Sequence, residues 1–202
     1  MRIPMAYSDF TLDDIKKNLH LVLREDTDAF SHVEPSVISD TLQTILNEYV
    51  PLALAINTEK SRSEMMIAPI LIEFRRIKDR QISLFSGLEF NVDAQQGLNG
   101  VCDFIISHST EQLYITTPII MVVEAKNENI KAGLPQCIAA MVAARLFNSR
   151  QEHFIRTLYG VVTTGNIWKF LQLEAHMVYI DLKEYHIENP GKILGILSRM
   201  VT

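Results

Sequence analysis

Two short apolar segments of the chain carry ionisable side chains where a strand would present them to a binding site. Asp103 interrupts the run VCDFIIS, and Glu124 and Lys126 close the run IIMVVEAK. Because successive side chains of a strand point to opposite faces, Glu124 and Lys126 should share one face while Ala125 points away. A carboxylate is costly to bury without a partner, and a divalent metal ion between Asp103 and Glu124 would be such a partner. The pattern indicates a metal-dependent site that cleaves phosphodiester bonds.

The residue types suit a hard cation, Mg²⁺ or Mn²⁺, which prefers carboxylate oxygens, backbone carbonyls and water as ligands. Asp103 and Glu124 would supply carboxylates, and Ala125 is placed to offer its carbonyl. Such an ion lowers the pKa of a bound water and neutralises charge that develops on the phosphate. Lys126 would orient or polarise the attacking water and donate to the phosphate. For Glu124 and Lys126 alone, the competing interpretation is an exposed ion pair at a strand end, worth only about 0–1 kcal/mol.

The rest of the pattern predicts an α/β fold, a mixed central sheet flanked by helices. Helices are expected over 9–24, from Ser36 to a stop near Pro51, over 63–76 with a kink or break at Pro69, over 134–147 and over 192–201. Strands are expected over 83–92, 101–107, 118–125, 158–164, 168–173 and 177–182. We expect residues 1–56 to form an N-terminal helical appendage and residues 57–202 the core, most simply within one compact domain.

The order of these elements and their acidic residues resembles the P-D-(D/E)-x-K superfamily of restriction-endonuclease-like nucleases, over residues 60–180. In that superfamily a helix precedes a strand hairpin, and the metal ligands lie on the second and third strands. Asp103 is similar to the lone aspartate, Glu124 to the second acid and Lys126 to the lysine. Cys102 stands where the family name has a proline, which diverged members often lack. The resemblance implies a restriction-endonuclease-like sheet, Mg²⁺ or Mn²⁺ as cofactor, and products with a 5′-phosphate and a 3′-hydroxyl.

Two further residues gain expected roles only through this resemblance. Glu64 is similar to the helix glutamate that many members use as an additional metal ligand, with Glu73 as its rival. Gln136 is similar to the glutamine of the helix after the lysine strand, where it would orient the lysine or the substrate. The alternatives are a solvated first-turn glutamate favoured by the helix dipole and a helix-capping glutamine. The segments VEAKNEN, QCIAAM and YGVVTTGNIWKF also resemble a bacterial group, common in cyanobacteria, within the superfamily.

The charge distribution limits the expected partners. The net charge of −5 comes from residues 1–56, which carry 9 acidic and 4 basic side chains, whereas residues 57–202 carry 15 of each. A core without net charge lacks the strongly basic surface of a dedicated DNA-binding domain, so its affinity for DNA should be modest and should fall steeply with salt. The basic run from Arg75 to Arg80 is interpreted first as a solvated helix end and second as a phosphate contact.

Cysteine content and hydropathy indicate the compartment. No apolar run reaches the roughly 18–20 residues of a membrane span, and no secretory apolar segment follows the first residues. Cys102 and Cys137 lie inside apolar patterns, so we expect buried free thiols in a reducing compartment, most simply the cytoplasm.

Three functional hypotheses follow from these observations. The first is a divalent-metal-dependent phosphodiester hydrolase, similar to a DNA endonuclease, for which a homodimer is the expected form if it cuts both strands. The second is a catalytically inactive nuclease-fold module that mediates protein or nucleic-acid interaction, suggested by the near-neutral core and the lack of a recognisable DNA-reading domain. The third is a nuclease subunit that is inert until it joins a helicase or specificity partner, since the chain has no Walker lysine motif of its own.

Overall fold

The structure is a computed structural model that describes residues 6–201, and its centre is a mixed sheet flanked by helices. The strands are β1 (Val22–Thr27), β2 (Ser83–Glu89), β3 (Val101–Ser107), β4 (Ile119–Ala125), β5 (Thr157–Thr163), β6 (Ile167–Glu174), β7 (Met177–Asp181) and β8 (Tyr185–His186). The helices are α1 (Leu12–Lys17), α2 (Asp40–Ile56), α3 (Glu59–Arg62), α4 (Ala68–Ile77), α5 (Ile130–Arg150) and α6 (Pro190–Met200).

Neighbouring strands follow the order β1-β7-β6-β5-β4-β3-β2, and β8 pairs with β6 outside this path. Strands β2, β3 and β4 are antiparallel, whereas β4 and β5 are parallel and are joined by the crossover helix α5. A crossover of this length is what a parallel pair requires. The predicted mixed α/β sheet with flanking helices is therefore confirmed.

The predicted N-terminal helix over 9–24 is wrong beyond Lys17. His20 adopts a left-handed backbone with φ 54°, and the chain then enters β1, which pairs in parallel with β7. β1 is an edge strand with mostly exposed residues, so it lacks the apolar alternation that marks a half-buried strand. Residues 1–56 are therefore not wholly helical, because 22–27 belong to the central sheet.

Two predicted helix ends also differ from the structure, each near a proline. Helix α2 passes through Pro51 and ends at Ile56, where Asn57 turns left-handed with φ 52°. The carbonyl that loses its donor there belongs to the exposed Asn47, so water can reach it. Helix α5 begins at Ile130, four residues earlier than predicted, because Asn129 caps it. Gln136 is therefore not a capping residue.

The helix does not break at Pro69, but a π-helical turn directly precedes the proline. Between α3 and α4 the residues Ser63–Ile67 form this turn, and the Ala68 N–H donates to the Ser63 carbonyl five residues back. Proline has no N–H for the ordinary helical bond, so a widened turn before it relieves the mismatch. The whole stretch from Glu59 to Ile77 runs on as one helical path.

Two hydrophobic cores fill the two faces of the sheet. In β4, Val122 belongs to the core beneath α5, whereas Val123 and Ala125 belong to the core beneath α4 and α6. Residues of the N-terminal segment are buried in both cores: Tyr7, Phe10, Ile15 and Leu21 in the first, and Phe30, Leu42, Leu46 and Ala53 in the second.

Helix α5 is the one helix of the described chain that is long and apolar enough to cross a membrane. Of its most apolar stretch, 67% is buried inside the protein. That burial is typical of the central helix of an α/β domain, which is apolar nearly all round because it is covered on most sides.

Candidate functional site

Asp103 and Glu124 lie side by side at the end of the β3–β4 pairing. The register pairs Phe104 with Val123 and, continued by one residue, places Asp103 opposite Glu124. Side chains opposite each other in antiparallel strands share a face, with Cβ atoms about 4.5–5.5 Å apart. Beyond this pair, a side chain replaces the backbone as hydrogen-bond acceptor: the Ala125 N–H donates to Oδ2 of Asp103 at 2.8 Å.

Lys126 extends β4 by one residue and reaches back over the acids. Its backbone N–H donates to the Thr163 carbonyl at 2.8 Å, and its Nζ lies 2.6 Å from Oε1 of Glu124. The same Nζ donates to Oε1 of Gln136 at 3.3 Å. Glu124 and Lys126 therefore share a face, as strand alternation predicts, and Gln136 contacts the lysine from α5.

Both acids hold protons more tightly than exposed carboxyls do. Glu124 is only 4% exposed, and burial raises its pKa to about 8, with a further rise from the Asp103 charge and an opposing effect from Lys126. Burial also raises the pKa of Asp103, against the Ala125 N–H and the Lys126 charge, which act in the opposite direction. A proton or a cation is therefore favourable beside these oxygens.

Lys126 carries its proton at neutral pH. Burial disfavours the ammonium, but the charges of Glu124, Glu59 and Asp103 outweigh burial and raise the pKa of Lys126 above its ordinary value. The side chain can thus orient a water or donate to an anion, but it cannot act as the general base. With one ammonium and three carboxylates, the fully ionised group has a net charge of −2.

Gly133 lets α5 approach the lysine closely. A Cβ at this position would lie 2.6 Å from Cγ1 of Val162 and 3.0 Å from Cγ of Lys126. Contacts of that length are overpacked, so any larger residue would displace the lysine stem or the helix. Gly133 and Gln136 are one turn apart and face the same side of α5. Together they fix the path of the Lys126 side chain.

Glu64 does not join this group. Its side chain is 57% exposed and forms an ion pair with Lys60 at 2.6 Å, and it lines the groove between α2 and α4 instead. Glu73, the alternative helix glutamate, is buried and does not join the group either. It binds Arg76 and accepts the N–H of Ser39 at 2.9 Å. The Arg76 guanidinium holds the pKa of Glu73 below its ordinary value.

Glu59 is the acidic residue that the sequence interpretation missed. It is the exposed first residue of α3, and its charge raises the pKa values of both Asp103 and Glu124. The available hint was the capping box of Thr58 and Ser61, in which each side chain bonds the other's backbone N–H. That motif marks a helix start, yet a first-turn acid is ordinary there, so the pattern alone did not single out Glu59.

The start of α3 is held against the site by a buried arginine. Nη1 of Arg62 donates to the Thr164 carbonyl at 2.9 Å, and Nη2 donates to Oδ1 of Asn57 at 2.9 Å. The Asn57 amide in turn donates to Oε1 of Glu128 at 3.1 Å. The helix that carries Glu59 is therefore tied to the loops that follow β4 and β5.

The donor set fits a magnesium-type ion with two protein carboxylates. Among residues 6–201, Oδ1 of Asp103 and Oε2 of Glu124 accept no hydrogen bond from the protein. No three His, Cys, Asp or Glu side chains of the described chain form a ready-made metal centre. Mg²⁺ usually keeps several waters and binds through one or two carboxylates, so a two-acid site is sufficient. A metal role for the Ala125 carbonyl stays a prediction.

Comparison with known proteins gave no family model, curated protein or solved structure that matches this chain.

Proposed function

We propose that the protein is a divalent-metal-dependent phosphodiester hydrolase of the restriction-endonuclease-like type, acting on DNA. The observation that supports this most is the convergence of Asp103 and Glu124 beside Lys126, in surroundings that raise the pKa of both acids. Carboxyl groups whose pKa values are shifted by burial and a specific charged neighbour are enriched at functional sites.

The order of the elements supports the same proposal. A helical path from Glu59 to Ile77 precedes β2, β3 and β4, and α5 then crosses to the parallel strand β5. The acids lie on β3 and at the end of β4, which is where the resemblance places the metal ligands. The mixed sheet agrees with this fold family at the level of architecture.

Each residue has a definite part in the proposed reaction. A bound Mg²⁺ or Mn²⁺ would supply a more acidic water and neutralise charge on the scissile phosphate. Asp103 and Glu124 would hold the ion through their free oxygens. Lys126 would donate to the attacking water or the phosphate, and Gln136 would keep its Nζ in place. Glu59 would add negative charge near the two acids.

Cleavage assays with matched variants test the proposal. Plasmid and single-stranded DNA would be incubated with Mg²⁺ or Mn²⁺ and the wild type, Asp103→Ala or Lys126→Ala. We expect loss of at least about a hundredfold in rate for either variant, because each removes a contact to the ion or the transition state. Equal cleavage by all three proteins would remove the assignment.

A catalytically inactive nuclease-fold module is the second candidate, and one contact favours it. Nζ of Lys126 lies 2.6 Å from Oε1 of Glu124, so the ammonium already contacts one oxygen of the more buried acid without a metal ion. Calorimetric titration with MnCl₂ distinguishes the candidates. Binding that is lost in Asp103→Asn supports the hydrolase, whereas no heat of binding in the intact protein supports the inactive module.

We also propose a reducing, cytoplasmic setting. Cys102 and Cys137 are both free and buried, and burial raises the pKa of the Cys137 thiol well above its ordinary value. Such thiols are inert packing residues, not members of a disulfide framework. Cell fractionation of the native host is the direct measurement.

A further inference from the structure

The outermost strand β2 lies directly beside the candidate site. Its register pairs Ser86 with Phe104 and Leu88 with Cys102, which places Gly87 opposite Asp103. Gly87 is exposed, has φ +65°, and a Cβ built on it would meet no atom within 4 Å. Glycine inside a strand often marks a place where a ligand approaches the backbone closely. The position opposite Asp103 is thus left open on the edge of the sheet.

A second feature lies further along the same strand. A pocket of about 480 Å³ is lined by Ile72, Arg75, Arg76, Arg80, Leu84 and Gln112, with no acidic side chain among them. Arg76 is committed to Glu73. Arg75 uses only its Nε, which donates to the Ile82 carbonyl at 3.0 Å. Arg80 makes no side-chain hydrogen bond or ion pair with the described residues. Two guanidinium groups therefore remain available to an anion.

The backbone that carries Arg80 is itself unusual. Asp79 and Arg80 are consecutive left-handed residues, with φ 49° and φ 57°. A left-handed backbone is uncommon outside glycine and costs of order 1–3 kcal/mol for each residue. The tight turn that results places Arg80 at the pocket.

On the edge between the two features, the backbone groups of Leu84 are already bonded to a side chain, which prevents another strand from pairing there, while the backbone further along can meet a ligand. The Gln112 amide donates to the Leu84 carbonyl at 2.7 Å and accepts the Leu84 N–H at 3.2 Å. Backbone groups alternate along an antiparallel strand, so those of Ser86 face outward like those of Leu84. Leu84 and Gly87 are three residues apart, about 10 Å, which equals the axial rise of about three base pairs of B-DNA.

From these features we infer that the edge of β2 is a binding site for a nucleic-acid backbone. Phosphates contact Arg75 and Arg80 at one end, and the strand passes over Gly87 to bring the scissile phosphate to Asp103. Guanidinium groups and outward backbone N–H groups are the usual phosphate contacts of proteins. This inference rests on the proposed hydrolase function for its cleavage readout, but binding can be measured separately.

Binding would be measured by fluorescence anisotropy with labelled duplex and single-stranded DNA, in EDTA and on an Asp103→Asn background. We expect Arg75→Gln/Arg80→Gln to weaken duplex binding about tenfold at 0.1 M salt. The slope of log affinity against log salt should become shallower by about 2, since two phosphate contacts are lost. The control Lys16→Gln/Arg24→Gln removes two cations from the N-terminal segment, and it should change neither quantity. Equal behaviour of the two double variants overturns the arginine site.

The approach over Gly87 is tested by adding a side chain. Asparagine tolerates a left-handed backbone, so Gly87→Asn should fold normally and bind Mn²⁺ like the wild type. Its DNA cleavage should fall about tenfold. The control Ala175→Asn places the same side chain at an exposed left-handed residue of the β6–β7 turn and should cleave normally. Equal cleavage by these two variants overturns the approach over Gly87.

The failures of the two proposals are distinguishable. DNA binding that depends on Arg75 and Arg80, without any metal-dependent cleavage, removes the hydrolase and keeps the binding site. Cleavage that depends on Asp103 but is unchanged in Arg75→Gln/Arg80→Gln and in Gly87→Asn keeps the hydrolase and removes the binding site. Binding of an acidic protein in preference to DNA at the same arginines also overturns the inference.

Discussion

The residue that governs the chemistry of this site is Glu124, because it is both buried and next to a second carboxyl group. Because burial raises the pKa of this acid from 4.5 to about 8, it reduces the stability of the fold progressively as the pH rises from 4.5 to 8, and a packed apolar residue would avoid that cost. The positive charge of Lys126 compensates only part of the negative charge of the site, because Asp103 and Glu59 carry negative charge as well as Glu124. Retaining such a group is more consistent with function than with stability.

The first prediction concerns the pH dependence of metal binding. Below about pH 8, Glu124 is largely protonated, so an incoming ion must displace that proton. The dissociation constant for Mn²⁺ should therefore fall about tenfold per pH unit from pH 6 to 7.5 and level off above 8. Calorimetry in two buffers of different ionisation enthalpy should show about one proton released per ion at pH 7.

Glu124→Gln is the matched control for this titration. It keeps the shape of the side chain, removes the titrating group, and should abolish both the tight binding and its pH dependence. An affinity that stays constant from pH 6 to 9 in the wild type would show that no proton is displaced. Glu124 would then not be a ligand of the ion.

The second prediction separates the two helix glutamates. Glu59 acts electrostatically on Asp103 and Glu124, whereas Glu64 is paired with Lys60 at 2.6 Å and lines another groove. We expect Glu59→Gln to weaken Mn²⁺ binding about threefold to tenfold, and Glu64→Gln to leave it unchanged. Calorimetric titration at low salt measures both, since an exposed charge is screened at high salt. A larger effect from Glu64→Gln would restore the original assignment.

The sequence was sufficient to bring together Asp103, Glu124 and Lys126, which follow from strand alternation and register, but not to identify the acidic residue of the preceding helix. Side chains alternate between the two faces of any strand, so Glu124 and Lys126 share a face whatever surrounds them. The pairing register of β3 and β4 then decides that Asp103 lies opposite Glu124. The face that a helical glutamate presents depends instead on where the helix starts and on the π-helical turn at Ser63–Ile67. Neither can be inferred from a local pattern.

At the scale of elements, α5 illustrates why close packing is difficult to foresee. Glycine lowers helix stability by about 1 kcal/mol relative to alanine. From the sequence alone, Gly133 in the first turns of a long helix is therefore expected only to destabilise that helix. In the structure it is the point where the helix meets Val162 and the stem of Lys126. Likewise β1 is an edge strand with exposed charges. Backbone hydrogen bonds to β7 hold it in the sheet, and the pattern of its side chains does not predict them.

The third prediction is that Gly133→Ala acts through the lysine. The added Cβ would press on Cγ of Lys126 at 3.0 Å and on Val162 at 2.6 Å. We expect a loss of about 1–3 kcal/mol in stability, as in other overpacked cores, and at least a tenfold loss of cleavage at saturating metal. The pKa of Lys126, followed by NMR of its Cε, should fall towards its ordinary value as its contact with Glu124 lengthens.

A matched glycine separates positioning from simple destabilisation. In Gly160→Ala the new Cβ would press on Met141 and Cys137, away from Lys126, so stability should fall while cleavage persists. Gly133→Ala/Val162→Ala removes the nearer clash and should recover stability without recovering activity. If the double variant cleaves like the wild type, Gly133 serves packing alone.

At the scale of the whole molecule, the N-terminal segment is part of the folded body. It contributes β1 to the sheet and buried side chains to both cores. It also holds the excess negative charge, since residues 1–56 carry 9 acidic and 4 basic side chains. Composition shifts of this kind are commonly taken as domain boundaries, but here the shift at residue 56 lies within one folded body. Parallel pairing between residues far apart in sequence leaves no local trace.

The last prediction is that a chain beginning at residue 57 does not fold. Without β1 the edge of β7 is unpaired, and without Tyr7, Phe10, Ile15, Leu42 and Leu46 both cores lose large buried side chains. Each such loss costs about 2–5 kcal/mol, and a few of them exceed the roughly 5–15 kcal/mol that stabilises a typical domain. The truncated chain should show weak near-ultraviolet circular dichroism and no cooperative melting, and addition of the separate 1–56 peptide should restore both. A cooperative transition and Mn²⁺ binding in the truncated chain would instead make residues 1–56 a dispensable appendage, as charge and periodicity first suggested.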